Sequence, residues 1–196
     1  MDQRHAEQSV TDAIATRSSV RAYTGKPLDR VTVMALLEAA VRAPTAMHVE
    51  PWRFLIIQDT DTLRRLSERA RLQFTEELRR LHPGEDNAVL ARFASPRFDV
   101  FYNAGTLIAV CAGADNSRFA AADCWLAAEN LILAAHARGL GTCVIGSAVS
   151  TLNTPAVREE LGIPADTTAV APVVVGHPRG EWPPTARRAP EILLWR

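Results

Sequence analysis

Residues 119 to 137 read "FAAADCWLAAENLILAAHA" and form a nearly uninterrupted apolar helix pattern. A helix that is apolar on every side needs cover on every side, and its many alanines permit neighbouring elements to approach closely. The pattern extends from about Ser117 to Arg138, and a helix of that length measures roughly 33 Å. A chain of 196 residues has difficulty enclosing it alone. The sequence therefore predicts a long central helix that is covered in part by a second copy of the chain.

The segments around this helix alternate between helical and strand patterns. Buried strands are predicted at "WRFLIIQ" (52–58), "GTLIAVCAG" (105–113), "LGTCVIG" (140–146) and "TAVAPVVVG" (168–176). Helices are predicted after Ser9, from Asp29 to about Arg42, from Thr62 to Leu81 and from Thr154. The proline in the last strand, Pro172, indicates at least one irregular or unpaired position there.

No repeat and no second-domain boundary occur in the sequence, so residues 1–196 are predicted to form one domain. From about residue 177 to 196 the chain is rich in proline, which predicts an extended C-terminal arm. The arm ends in Ile192, Leu193, Leu194 and Trp195. Such an apolar tip is expected to dock on its own domain or on a neighbouring subunit.

Composition excludes several classes of protein. Lys plus Arg and Asp plus Glu both number 22, so bulk charge favours neither nucleic acid nor an anionic membrane as a partner. The cysteines are Cys111, Cys124 and Cys143, which are widely spaced in apolar runs and indicate free thiols in a reducing compartment. The first ten residues lack an apolar core and no run is apolar enough to span a bilayer. We therefore expect a cytoplasmic protein.

Most familiar catalytic motifs are absent from the sequence. The five histidines have no paired spacing, so no metal site is predicted. The sequence contains neither GxxxxGK[ST] nor a complete nucleophile elbow. The stretch "GLGTCVIG" (139–146) ends a helix and enters a strand, whereas a dinucleotide fingerprint leaves a strand and opens a helix. Gly139 and Gly141 are better explained by a helix end and a tight turn.

Two arginine clusters are candidates for binding a phosphate group. The stretch "RSSVR" (17–21) supplies two guanidinium groups and two hydroxyls within five residues, a donor set that suits a phosphate monoester. Arg187 and Arg188 form a second pair in the extended arm. Each cluster on its own is better explained as a solvated polar segment.

Taken in order along the chain, four stretches resemble the nitroreductase family of flavin oxidoreductases. They are "RSSVRAY" (17–23), "APTAMHVEPWRFLII" (43–57), "AAADCWLAAENLILAAHARGLGTCVIG" (120–146) and "PVVVGHP…RRAP" (172–190). The resemblance runs from about Thr11 to Glu191. It implies an α+β fold with a central mixed or antiparallel sheet flanked by helices. It also implies a homodimer that binds FMN at the subunit interface.

The resemblance also assigns cofactor-binding positions. They are Arg17, Ser18, Ser19, Arg21, Pro44, Thr45, Ala46, His48, Val144, Ile145, Gly146, Arg187 and Arg188. By this likeness Arg17, Ser19 and Arg188 hold the phosphate end, and Arg21 lies beside the edge of the ring that becomes negative on reduction. Residues 44–46 come from the partner subunit, while residues 144–146 lie along the other face of the ring.

The loop between Pro44 and Pro51 departs from the family pattern. His48 and Glu50 occupy positions where the family commonly has Asn and Gln, and a carboxylate cannot donate a hydrogen bond as an amide does. The sequence does not name the acceptor or distinguish NADH from NADPH.

The resemblance implies an enzyme that takes hydride from NAD(P)H and reduces a small conjugated acceptor by a ping-pong mechanism. No side chain is assigned as a catalyst, because the cofactor carries the chemistry. The alternatives are a specialised flavin reaction on the same fold, either reductive dehalogenation or flavin fragmentation, and a flavin-binding protein with little turnover.

Overall fold

Four strands and seven α-helices make up the structure, a computed structural model that describes residues 9–82, 88–113 and 118–196. The strands are β1 (Trp52–Ile57), β2 (Thr106–Ala112), β3 (Gly141–Val144) and β4 (Thr168–Gly176). The helices are α1 (Val10–Thr16), α2 (Arg30–Ala40), α3 (Thr60–Leu81), α4 (Ala88–Ala94), α5 (Ala120–His136), α6 (Val149–Leu152) and α7 (Pro155–Leu161). All pairings between these strands are antiparallel, so the expected α+β architecture is confirmed.

The sheet has the order β1-β2-β4-β3, which places β2 and β4 in the middle. Side chains along a strand alternate between its two faces, so Leu107 and Ala109 pack with α3, α6 and α7. Ile108 and Val110 pack on the opposite face with α2 and α5. Because helices cover both faces, the two central strands are continuously apolar in sequence.

The prediction of a buried strand at residues 52–58 is wrong in one respect. β1 is an edge strand that pairs with β2, and among its residues only Ile57 is fully buried. The irregularity indicated by Pro172 is confirmed. Val110 pairs with Ala171 while Cys111 pairs with Ala169, so Val170 is an extra residue that forms a bulge in β4.

Helix caps account for the positions where three predicted helices begin. The side chains of Ser9, Asp29 and Thr154 accept hydrogen bonds from backbone N–H groups in the first turns of α1, α2 and α7. Each cap of this kind contributes about 1 kcal/mol. Gly139, with φ +72°, follows the end of α5, as predicted.

The central helix α5 is buried on one side and open on the other. Cys124, Ala127 and Leu131 are inaccessible to solvent in the core formed with α2 and the sheet. Trp125 and Leu126 are 43% and 46% exposed. The helix is also shorter than predicted, because it begins at Ala120, and Ser117 lies outside the described residues. The expected cover by a second copy stays a prediction, and this apolar stripe is where it would sit.

The C-terminal arm, residues 177–196, contains no helix and no strand. Its first residues are attached to the fold, because the Arg179 N–H donates to the Ala22 carbonyl and Trp182 packs against the core. From Pro183 to Arg196 every residue is exposed. The apolar tip therefore does not dock on its own domain.

Candidate functional site

The stretch predicted to bind phosphate lies along the outer edge of β3. α1 ends at Thr16, Arg17 is extended, and Ser19 forms an isolated parallel bridge with Thr142. The Val20 N–H donates to the Thr142 carbonyl at 2.9 Å. A Cβ at Gly141 would be 2.7 Å from the Val20 side chain, so only glycine permits this approach. The glycine pattern at 139–146 therefore has a packing reason.

Arg17 and Arg21 are cations without a carboxylate partner within the described part of the chain. The Arg17 Nε atom is buried and has no hydrogen-bond partner among the residues that the structure describes. Burial raises the pKa of the Cys143 thiol, against smaller opposing effects of Arg21 and Arg17. Burial likewise raises the pKa of Tyr102. These neighbours are neutral at pH 7, so they do not cancel the charge of the two guanidinium groups.

His136, at the end of α5, is fixed in orientation by its contact with α1. The Thr16 hydroxyl donates its proton to the Asp12 carbonyl, so it must accept from His136 Nε2, 2.9 Å away. Burial, followed by the charge of Arg17, lowers the pKa of His136. A neutral His136 therefore leaves the positive charge of this region on the arginines.

A cleft of about 450 Å³ opens beside this stretch, between the end of α1, the Gly139 turn and the arm. The Ser18 hydroxyl donates to the Trp182 carbonyl at 3.2 Å and thereby holds the arm against the cleft. The Ser18 hydroxyl proton is thus used inside the protein. Its backbone N–H is the better candidate to meet a ligand.

The residues after β3 form an open ledge. The Val144 side chain is partly exposed, and the Cβ direction of Gly146 meets no atom within 4 Å. The Ile145 N–H donates to the Pro172 carbonyl at 2.8 Å, so this N–H does not face a ligand. A flat ring could lie against Val144 and Gly146 without a steric clash.

The loop from Pro44 to Glu50 is the most strained part of the described backbone. Met47, His48 and Glu50 have φ of 56°, 54° and 50°, a left-handed conformation that is uncommon outside glycine. Met47 is 90% exposed and His48 is exposed as well. The Ala46 N–H holds the loop by contacting both carboxylate oxygens of buried Asp123 at 3.3 Å. Exposed strain of this kind is concentrated at ligand-binding sites.

The predicted site residues fall into two groups that lie apart in one chain. Arg17, Ser18, Ser19 and Arg21 adjoin the end of β3, close to Val144, Ile145 and Gly146. Pro44, Thr45, Ala46 and His48 are held at Asp123, at the start of α5. With about 1.5 Å per residue, the distance along α5 from Asp123 to His136 is roughly 20 Å. Arg187 and Arg188 lie in the exposed part of the arm.

Three residues of this region were not predicted from the sequence. Asp123 anchors the loop at Ala46, and Tyr102 adjoins Arg21. Trp182 holds the arm through Ser18. Asp123 offered a signal, because a carboxylate that an apolar helix carries into the core requires a hydrogen-bond partner. The other two contacts depend on long-range packing.

Two classes of site and segment do not occur among the described residues. No three His, Cys, Asp or Glu side chains there cluster closely enough to hold a metal ion. In the same ranges, no helix has both the length and the apolar character needed to cross a membrane.

Sequence and structure comparisons both point to one family. Residues 14–177 match the profile of the nitroreductase family. A protein of Archaeoglobus fulgidus named as an NADH dehydrogenase/NAD(P)H nitroreductase is 30% identical over 172 residues, covering 86% of this chain and 84% of the relative. A 5,6-dimethylbenzimidazole synthase of Rhodospirillum rubrum is 30% identical over 181 residues, covering 85% and 81% of the two chains. A nitroreductase of Bacteroides fragilis with bound FMN superposes with a TM-score of 0.80, at 30% identity and with 96% and 100% coverage.

The fold is an antiparallel sheet between helical layers. At the edge of β3 it places two arginines, Arg17 and Arg21, that form no ion pair with another described residue. The chain belongs to the nitroreductase family. The resemblance drawn from the four sequence stretches is confirmed.

Proposed function

We propose that this protein is an FMN-dependent oxidoreductase that takes reducing equivalents from NADH or NADPH and passes them to a small conjugated acceptor. A nitroaromatic, a quinone or an enone fits that description. The names of the Archaeoglobus relative and the FMN-bound Bacteroides structure support this proposal. The three buried, unpaired cysteines suit a reducing compartment, so we assign the enzyme to the cytoplasm.

The observation that carries the proposal is the separation of the two half-sites along α5. In one chain, the loop at Ala46 and the cations at Arg17 lie at opposite ends of a helix. A second chain related by a twofold axis, with its α5 antiparallel, would bring the loop of one subunit to the cations of the other. The exposed Trp125 and Leu126 lie on the stripe that such a pairing would bury. We therefore propose a homodimer with two interfacial FMN sites.

The residues present fit FMN at its charged end. Arg17 carries the buried Nε atom that lacks an acceptor, and a phosphate oxygen would supply one. Ser19 and the backbone of Ser18 complete the donors for the phosphate. Arg188, on the exposed arm, would close over it. Arg187 is the alternative cation at the same place.

The remaining groups would orient the ring and tune its charge. Arg21 places a fixed cation where negative charge develops on reduction. Val144 and Gly146 form one wall, and the partner's loop from Pro44 to His48 forms the other and limits the access of water. Bound FMN supplies two-electron transfer between NAD(P)H and the acceptor. Because both substrates would use the same open face in turn, we expect ping-pong kinetics without a side-chain acid or base.

Purified protein tests this proposal directly. It should be yellow, release FMN and not FAD on denaturation, and oxidise NADH or NADPH when a quinone or nitroaromatic is added. Initial rates measured at varied donor and acceptor concentrations should give parallel lines in double-reciprocal plots, which would support the ping-pong mechanism. A colourless protein that does not bind added FMN would refute the proposal, and a yellow protein without turnover would indicate a flavin-binding protein.

The 30% identity to the Rhodospirillum synthase favours a specialised reaction as the second candidate. If it applies here, FMN-loaded protein incubated with reductant and oxygen should accumulate 5,6-dimethylbenzimidazole. Chromatography of the reaction mixture distinguishes the two candidates, because simple acceptor reduction leaves the flavin intact.

A further inference from the structure

A separate cavity of about 450 Å³ lies between the first three turns of α3 and the loop at residues 96–105. Leu63 and Phe101 form buried apolar walls, and Phe98 adds half-buried aromatic surface. None of the residues predicted to hold FMN lines this cavity. Its size is that of a small-molecule site.

Arg71 lines the cavity and is only 8% exposed, although the amphipathic pattern of α3 predicts arginines on the solvent side. Within the described ranges its guanidinium makes one hydrogen bond, from Nη1 to the Phe93 carbonyl at 3.2 Å. No ion pair among those residues includes Arg71. A guanidinium has five N–H donors and a permanent charge, so burying it without a carboxylate is costly.

Neither carboxylate that lines the cavity forms an ion pair with Arg71 in the described ranges. Asp99 Oδ1 accepts from the Ser67 hydroxyl at 2.7 Å and from the Phe101 N–H at 2.9 Å. Its Oδ2 accepts from the Asn103 N–H at 2.6 Å. Both oxygens of Asp99 therefore already accept hydrogen bonds within the protein. Glu68 is exposed and takes part in no ion pair between described residues.

Two further arginines, Arg64 and Arg97, line the cavity and are exposed. Arg64 contacts Asp61 at 3.2 Å, but both side chains are exposed and such a pair is weak. Arg64 can therefore still attract an anion. Cations around an opening attract anions and raise their local concentration. The cavity thus combines a cationic entrance, a buried unpaired guanidinium and apolar walls.

We propose that this cavity binds a small organic monocarboxylate with an aromatic body. The carboxylate pairs with Arg71, and the rings pack against Leu63, Phe98 and Phe101. A single negative charge fits best, because a second one would be repelled by Asp99 and Glu68. The competing explanation is that Arg71 only caps the C-terminal carbonyls of α4 through Phe93. That explanation predicts no binding of anions.

Calorimetric titration of the full-length, FMN-loaded protein with 2-naphthoate tests the proposal, with neutral 2-naphthamide as the matched ligand. We expect 2-naphthoate to bind with a Kd below about 1 mM, and the amide at least tenfold more weakly. Arg71→Met should weaken 2-naphthoate binding at least tenfold. Absence of binding, or unchanged binding to Arg71→Met, would overturn the proposal. A saturating shift of the flavin absorption band with the same Kd would place the ligand on the cofactor and overturn it as well.

A second variant keeps the test decisive if Arg71→Met does not fold. Arg97→Glu reverses an exposed charge at the entrance and should weaken 2-naphthoate binding about threefold or more, with a shallower loss of affinity as salt is added. Arg79→Glu is the control, because Arg79 is exposed on the same helix but does not line the cavity. Equal affinities for the two variants would overturn the proposal.

Discussion

The two ends of α5 differ in how each is completed. At the C-terminal end, the chain supplies cations, a fixed His136 and a cleft, but within its described ranges it offers no acceptor to the Arg17 Nε atom. At the N-terminal end, the chain supplies a strained, exposed loop held by Asp123. The first end gathers charge beside a cleft, and the second presents exposed, strained backbone. In the homodimer proposed above, each end is half of one site and the other half comes from the second subunit.

The largest effect is expected from a substitution that keeps the two ends of α5 on different subunits from meeting in the dimer. Leu126→Glu places a charge on the exposed stripe of α5, and burying it unpaired in an interface should raise the dimer dissociation constant about a hundredfold, roughly 2.7 kcal/mol. FMN should be lost with the dimer. Sedimentation velocity and the flavin absorbance of the purified protein measure both effects.

Leu72→Glu is the matched control for this substitution. Leu72 is a similarly exposed leucine, at 54%, but it lies on α3, on the opposite face of the sheet. The control should remain dimeric and yellow. A dimeric, flavin-loaded Leu126→Glu protein would show that α5 is not the interface. Ala127 is unsuitable for such a test, because it is fully buried in its own chain.

The second prediction concerns the Arg17 end, where one substitution should have opposite effects on FMN binding and on the stability of the FMN-free protein. Arg17→Met should weaken FMN binding by about 1.5–3 kcal/mol, the range for a charge-assisted hydrogen bond. In the absence of FMN the same substitution removes a buried, unpaired N–H and should stabilise the fold by about 1 kcal/mol. Thermal melts with and without FMN measure the two effects. A loss of stability in both states would mean that Arg17 is a structural residue.

The third prediction concerns the loop at the other end. Asp123→Ala removes the acceptor of the Ala46 N–H, which should cost about 1–2 kcal/mol of folding free energy. FMN affinity should fall several-fold although the Arg17 end is unchanged. Asp123→Asn keeps one carbonyl acceptor and should be intermediate. Equilibrium unfolding in urea and flavin titration test this order, and unchanged flavin binding by Asp123→Ala would remove the loop from the site.

The smallest expected effect is the pH dependence contributed by His136. Burial and Arg17 lower its pKa in the folded state, so the unfolded state binds the proton more readily. Stability should therefore decrease as the pH falls through about 6.5, the ordinary pKa of histidine. His136→Gln keeps a donor for Thr16, and its free energy of unfolding should change less with pH than that of the unmodified protein. Urea unfolding measures this over about one and a half pH units on each side of the ordinary histidine pKa. Equal slopes for both proteins would contradict this account.

Local sequence patterns were sufficient for most of the secondary structure. The caps at Ser9, Asp29 and Thr154 act within one helical turn, and the strands β2 and β4 are apolar enough to identify directly. The edge position of β1 was not predictable, because its apolar run resembles that of a central strand. Strand order depends on pairings between residues far apart in sequence.

The candidate site was predicted in outline from four ordered motifs. The structure brings Arg17, Ser19 and Arg21 together beside β3, and their role in binding a phosphate stays a prediction. The contact between Asp123 and Ala46 and the neighbourhood of Arg21 and Tyr102 were missed, because each joins residues that are roughly 80 positions apart. The unpaired state of Arg71 was missed for a different reason. Periodicity predicts which side of α3 is apolar, but it does not predict what the loop at 96–105 covers.

The sequence by itself determined the family, the arginine cluster and the apolar central helix, because these depend on residue type and on spacing along the chain. Only the tertiary structure decided that one side of α5 is open and that the two half-sites lie roughly 20 Å apart along it. The same structure showed that none of the described residues pairs with Arg17 Nε. Those properties depend on which distant segments pack together, since burial and hydrogen bonding are settled by the whole fold and not by any one stretch of sequence.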